Sequence, residues 1–362
     1  MNRLNASVIP FLGMAILALL FAMWGGLMRL GWHLPALTAS IALAHGPLMV
    51  SGFLGILITV ERAVALKQRW MYVPAILAGL GWLTVILTRN SVIGPILLTL
   101  ASAGGVLILL EITRRETAVH TVTMLLGSFA WLAGNALWLG GWQIYQVVFL
   151  WQAFLVLTVT GERLELNRVL RPSAGTKRLF IGILVVYLAS LVIFLFNMQV
   201  GARLNGACLL GFALWSLRND IAWRNLRHAL PLTRYIAWCL ALGFVWLGIS
   251  GALSLGFGAQ AAGPRYDAVL HAVFVGFVIS MIFGHAPIIF PAVLGTPISF
   301  RPFFYVQLIL LHVSLVLRVL GDFVNVYPLR MWGGLLNEVA ILLFLGMTVS
   351  SVLASVKKTS EV

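Results

Sequence analysis

The chain has 362 residues, 61% hydrophobic and 9% charged, with a mean hydropathy of +1.02. Soluble domains carry about 25% charged residues, so a water-soluble fold is excluded. The net charge of +14 would suggest nucleic acid as partner of a soluble protein; in a membrane chain it reports topology, and no nucleic-acid partner is assigned.

Apolar runs of roughly 17 to 25 residues are long enough to cross a bilayer. They predict helices over Ile9 to Leu30, Ala36 to Val60, Tyr72 to Thr88, Val92 to Ile112, Ala118 to Leu139 and Gln143 to Thr160. Six more follow: Leu179 to Asn197, Gly201 to Leu217, Tyr235 to Phe257, Tyr266 to Phe290, Phe303 to Phe323 and Met331 to Ala354. The expected fold class is all-α, a polytopic integral membrane protein of about 12 transmembrane helices forming one domain over 1–362. The first run is too long and starts too far in for a cleavable signal. Met23, Trp24 and Met28 stand where small residues would mark cleavage, so it is read as a retained helix.

Between the sixth and seventh runs lies a basic connector, about 161–178, with Gly161, Pro172, Ser173 and Gly175. It offers a division into halves. A weak echo has a period of four helices: Thr59-Val60-Glu61-Arg62 matches Thr160-Gly161-Glu162-Arg163, and Ser51-Gly52-Phe53-Leu54 matches Val275-Gly276-Phe277-Val278. His45-Gly46-Pro47 and His285-Ala286-Pro287 form a second echo, and three arcs of four helices are the arrangement these suggest. Each proline frees a carbonyl four residues earlier, so both triplets predict kinks.

Of the 24 basic residues, 18 fall on one side of the membrane if the amino terminus is inside, among them Arg3, Arg62, Lys67, Arg69, Lys357 and Lys358. The other side holds Arg29, Arg89, Arg203, Arg265 and Arg330, and Arg318 lies within the eleventh helix. Both termini are therefore expected in the cytoplasm, in a bacterial inner membrane. Cys208 and Cys239 fall inside helices without metal-site spacing and read as buried thiols.

Ionisable groups inside a bilayer are costly, which makes each a functional candidate. His33, His120 and His228 sit in loops or at a helix start, where solvated roles suffice. With a rise of about 1.5 Å per residue, His45 lies roughly 14 Å, His271 roughly 8 to 12 Å and His312 roughly 16 Å from the same membrane edge. Three imidazoles at one level on three helices suit a haem or copper site; hydrogen bonding to a neighbouring helix is the alternative role. His285, four turns beyond His271, is a candidate second metal ligand, the mark of a cytoplasmic access route, or a hinge. Met49 and Met281 each lie four residues from a histidine, His45 and His285, and are candidate copper-side ligands or ordinary packing. Glu338 is the clearest intramembrane carboxylate, a candidate proton relay or ligand, while Arg318 and Asp322 are spaced for an i, i+4 pair.

The segment Ala44-His45-Gly46-Pro47-Leu48-Met49-Val50-Ser51-Gly52-Phe53-Leu54 resembles the second-helix motif of NnrS-like proteins, polytopic bacterial haem and copper proteins linked to nitric oxide metabolism. Asp267 to Gly276, with Met281-Ile282-Phe283-Gly284-His285, resembles the later motif of that family. About 60 residues carry the likeness, and the helix count agrees with that family and its distant similarity to the haem-copper oxidase catalytic subunit. The resemblance implies His45 and His271 as haem or metal ligands and His285 as a further candidate. The family's arginine before the late Gly-His is absent here, as are the oxidase His-x-His and adjacent His pair, so oxygen reduction is not expected. The expectation is a haem-binding redox protein in nitric oxide metabolism or response, with copper as an alternative metal. Its expected partners are the lipid bilayer, a small gaseous ligand such as nitric oxide, and a membrane or periplasmic electron donor. A twelve-helix secondary transporter and a membrane assembly factor with structural histidines are the rival readings.

Overall fold

A computed structural model describes residues 5–88, 91–295 and 300–360, with side chains as far as Ala354. Arg3 and Arg89 of the charge division, and the side chains of Lys357 and Lys358, lie outside the described residues. The described residues contain no strand, and twelve helices are long and apolar enough to cross a membrane. They are α1 (Ala6–Arg29), α2 (Ile41–Leu66), α3 (Arg69–Leu87), α4 (Ile93–Arg115), α5 (Val119–Leu139), α6 (Ile144–Leu170), α7 (Ala174–Phe196), α8 (Met198–Asn219), α9 (Pro231–Phe257), α10 (Pro264–Leu294), α11 (Phe304–Phe323) and α12 (Tyr327–Ala354). The chain is an all-α, multi-pass membrane protein.

Local chemistry sets the helix ends. Ser173 and Asn197 accept hydrogen bonds from the main-chain N–H groups of Thr176 and Val200 to start α7 and α8, and prolines occupy the first turns of α9 and α10. Hydropathy ends the sixth helix near Thr160, but α6 continues to Leu170, where Arg171 turns left-handed (φ 48°) ahead of Pro172. Charged residues end an apolar run without ending a helix; a left-handed residue and a proline do. The expected connector over 161–178 is thus reduced to Arg171, Pro172 and Ser173.

The chain gathers into two compact units, Met1–Gly161 with Ile289–Thr296, and Glu162–Ile288 with Pro297–Val362. The division falls at the start of the predicted connector and separates two groups, where the four-helix echo suggested three. In the first unit, one buried polar cluster is fully paired. Trp131 donates its indole N–H to Ser51 (2.9 Å), Ser51 and Trp151 both donate to the Asn135 carbonyl oxygen (3.3 and 3.0 Å), and the Asn135 amide donates to the Leu98 carbonyl (3.0 Å). This joins α2, α4, α5 and α6 without an unsatisfied group. His120, expected in a solvated role, is 5% exposed instead. A Cβ on Gly161 of α6 would come within 3.0 Å of the His120 carbonyl, so close packing of α5 and α6 encloses it.

In the second unit, α11 shows how this fold meets its solvent. Val306, Ile309, Val313, Val316 and Leu320 are exposed, at spacings of three and four. Gln307, His312, Ser314, Arg318 and Asp322 on the other face are buried. Apolar outside and polar inside is the arrangement a bilayer demands. Gly333 of α12 permits close approach: a Cβ there would lie 2.5 Å from the Arg318 main-chain nitrogen and 2.8 Å from the Ser314 carbonyl. Small residues at such a crossing let two backbones meet.

Two helices widen to π geometry, α2 over Leu48–Leu54 and α10 over Ala272–Ile279. The first follows Pro47, which lacks the N–H for a regular turn. The second does not follow a proline. It contains Gly276, where a Cβ would overlap the Trp246 indole of α9, while regular helix runs on through Pro287 from Ser280 to Leu294. The two widened segments contain the two Gly-Phe pairs that echo one another in the sequence.

Candidate functional site

His45 lies three residues before the π segment of α2, half-buried, with Nδ1 2.7 Å from the Ala22 carbonyl of α1. A carbonyl only accepts, so Nδ1 carries the hydrogen and the lone pair is on Nε2. His285 adopts the same tautomer, its Nδ1–H donating to the Met281 carbonyl at 2.9 Å. This is the orientation in which a metal-bound imidazole is held, with one nitrogen fixed by a carbonyl.

His271 immediately precedes the π segment of α10 and belongs to a larger assembly. Its Nδ1 lies 2.9 Å from the Asp267 carbonyl and 3.2 Å from the Asp267 carboxylate, one turn earlier. Its Nε2 accepts from Arg318 Nη2 at 3.2 Å. Arg318 also forks onto Asp267, Nε to Oδ2 at 2.8 Å and Nη2 to Oδ1 at 2.9 Å. Arg330, from the first turn of α12, approaches Asp322 Oδ1 at 3.0 Å and Asp267 Oδ2 at 3.8 Å. Glu338, half-buried on α12, is within electrostatic reach of Arg318.

The i, i+4 pair of Arg318 with Asp322 is therefore replaced by pairs between helices. A guanidinium fork needs a carboxylate presented side-on, and Asp267 on α10 provides that geometry. Arg330 was read as a loop charge, and its place in the network was not evident from the sequence. The Asp267 to His271 spacing of four residues was the available signal.

His312 is engaged on both sides. Trp246 donates its indole N–H to Nδ1 at 2.9 Å, which puts the ring hydrogen on Nε2, 3.3 Å from Ser280 Oγ, and Ser280 in turn donates to the Cys239 carbonyl at 2.7 Å. This chain links α9, α10 and α11, and it leaves His312 without a nitrogen for a metal. The Met281 thioether points elsewhere than His285, its methyl lying against Gly243 of α9. Met49 is half-buried. Cys208 and Cys239 are buried and reduced, as expected. Among the described residues, no three of His, Cys, Asp and Glu gather into a set that could hold a metal ion.

His45 belongs to the first compact unit, and His271, His285 and His312 belong to the second. By donor chemistry the Nε2 lone pairs of His45 and His285 suit an axial haem ligand. His271 suits one after exchanging the Arg318 N–H, a bond worth about 1.5–3 kcal/mol as a charged hydrogen bond, and Arg318 keeps its fork on Asp267 through that exchange.

A family model described as a domain of unknown function (DUF8744) matches residues 8–353, which span nearly all twelve helices. No curated protein and no solved structure matches the chain.

Proposed function

Taking as premise that the chain belongs to the DUF8744 family, we propose that it is a haem-binding inner-membrane protein of the NnrS-like type, acting in nitric oxide metabolism or response or in an associated redox step. The observation supporting this is the shared setting of His45, His271 and His285. Each holds Nδ1 against a main-chain carbonyl, which fixes the tautomer with the lone pair on Nε2, the nitrogen a metal would take. Bound haem would supply one-electron chemistry and a site for a diatomic gas. The protein's own part is to fix the imidazoles and to keep water from them with apolar helices. Haem needs only one or two imidazoles, so the donor sets present accommodate haem better than copper. Both termini are proposed to be cytoplasmic, from the division of basic residues. The absorption spectrum of the purified chain after expression with ample haem tests the reading: a Soret band supports it, and its absence removes it.

A twelve-helix transporter is the second reading. The buried network of Asp267, His271, Arg318, Asp322 and Arg330 favours it, since charged clusters inside a bilayer commonly mark ion or substrate paths. Uptake by proteoliposomes containing haem-free chain distinguishes the two.

A further inference from the structure

Between α8 and α9, in the second unit, the chain makes a short basic connector. Residues 218–234 contain four arginines, Arg218, Arg224, Arg227 and Arg234, and a single acid, Asp220. That acid is already engaged: both its oxygens accept from Arg163 of α6, at 2.8 and 2.6 Å, and it is buried. All four arginines are exposed, and among the described residues none of them has an ion pair.

The neighbouring elements do not neutralise them. α6, joined to the connector by the Asn167 amide on Asp220 at 2.9 Å, brings Glu162 and Glu165 but also Arg168 and Arg171. α7, whose first turn is tied to α8 by the Trp215 indole N–H on the Thr176 carbonyl (3.0 Å), adds Lys177 and Arg178. The four charges are left to be balanced from outside the chain, by an anionic surface. Orientation in the membrane depends only on the number of basic residues near the helix ends, not on their being clear of acids. In the first unit, by contrast, Arg115 is paired with Glu111 at 2.8 Å.

The aromatic residues beside the arginines identify that surface. Trp223 precedes Arg224 in the helix Ile221–Asn225 and is 59% exposed, while Ala222 on its other side is buried. An exposed indole is favoured at the head-group level of a bilayer. On α9, Trp238 lies one turn after Arg234 on the same face, about 6 Å further along the helix into the membrane, and it too is exposed. A cation at the helix end with an exposed ring below it matches a phospholipid, which places its phosphate above its acyl chains. A soluble acidic partner would meet the arginines but could not reach Trp238 within the bilayer.

We propose that the α8–α9 connector is a binding site for the head group of an anionic phospholipid, with Arg224, Arg227 and Arg234 facing the phosphate and Trp223 and Trp238 packing on the lipid below it. The site involves neither haem nor any histidine, so it stands or falls separately from the proposed function.

Native mass spectrometry of the full chain in neutral detergent, titrated with phosphatidylglycerol or phosphatidylcholine, tests it. The first phosphatidylglycerol is expected to bind about tenfold more tightly than the first phosphatidylcholine, as charge attraction by a few exposed arginines provides. R224Q/R227Q/R234Q should remove that preference, R224K/R227K/R234K should keep most of it, and R115Q in the first unit should leave it unchanged. Equal binding of the two lipids by the wild type, a preference surviving in the triple glutamine variant, or its loss in the lysine variant or in R115Q would each overturn the assignment. So would displacement of phosphatidylglycerol by an equal concentration of inorganic phosphate or of a soluble polyglutamate peptide, which would make the connector a site for free anions or for an acidic protein.

Discussion

Arg318 on α11 grips Asp267 on α10 through two hydrogen bonds of 2.8 and 2.9 Å while a third N–H contact reaches His271, so one guanidinium fixes both the carboxylate and the imidazole of a single helical turn. Both partners of the ion pair are buried, at 7% and 8% exposure. Removing one member strands the other charge, whereas replacing both by apolar residues does not. D267A is therefore expected to destabilise the protein by about 3–5 kcal/mol, and the double variant D267L/R318M should recover most of that loss. Thermal unfolding in detergent measures both, and additive losses in the double variant would show that the pair is not coupled.

The same physics is repeated at Arg163, whose Nε and Nη2 reach the two oxygens of Asp220 at 2.8 and 2.6 Å. Asp220 also accepts from Asn167 (2.9 Å) and caps the short helix Ile221–Asn225 through Ala222 N–H (2.8 Å). D220N keeps the cap and removes the charge, and D220A removes both. The expectation is that D220A costs about 0.5–2 kcal/mol more than D220N, the usual worth of a helix cap. Equal unfolding midpoints for the two variants would remove the cap from the account.

Glycine contacts give a prediction free of charge effects. G333A places a methyl 2.5 Å from the Arg318 main-chain nitrogen, and overpacking of this kind costs about 1–3 kcal/mol. Gly346 lies on the same helix with nothing within 4 Å of a built Cβ. G346A should be neutral or stabilising by about 0.5–1 kcal/mol, the helix preference of alanine over glycine. Comparable losses in the two variants would argue against close helix approach at Gly333.

The twelve helices were legible because a bilayer imposes a length and an apolarity that no internal contact can override. Helix ends were less so, as at α6, where hydropathy fell at Thr160 but the backbone continued to Leu170. The intramembrane histidines, Glu338 and the Arg318 to Asp322 neighbourhood were visible as costly residues in apolar runs. Their partners were not, because depth along a helix says nothing of azimuth. Arg318 turns to Asp267 on another helix, and His312 is linked to Trp246 and Ser280. The π segment around Gly276 was hidden for a similar reason, since its Gly-Phe echo is visible but the Trp246 ring facing it is not.

Topology follows from charge and is tested separately from any cofactor. A periplasm-dependent reporter fused after Val362 should be inactive, and one inserted near Leu37, between α1 and α2, should be active. Activity at Val362 would reverse the orientation of every helix.

The last prediction rests on the proposed haem and separates the histidines proposed as its ligands from structural ones. His45 directs Nε2 away from its Ala22 anchor, and His271 can release Arg318 from Nε2, whereas His312 has both nitrogens bound to Trp246 and Ser280. H45A and H271A are therefore expected to abolish or shift the Soret band of the purified chain. H312F should leave the band in place while lowering stability by about 1–3 kcal/mol, the cost of leaving the buried Trp246 N–H without its acceptor. H33A, in an exposed loop, should change neither. Loss of the Soret band in H312F with retention in H45A would invert the assignment, and a band indifferent to all four replacements would place the haem on other residues.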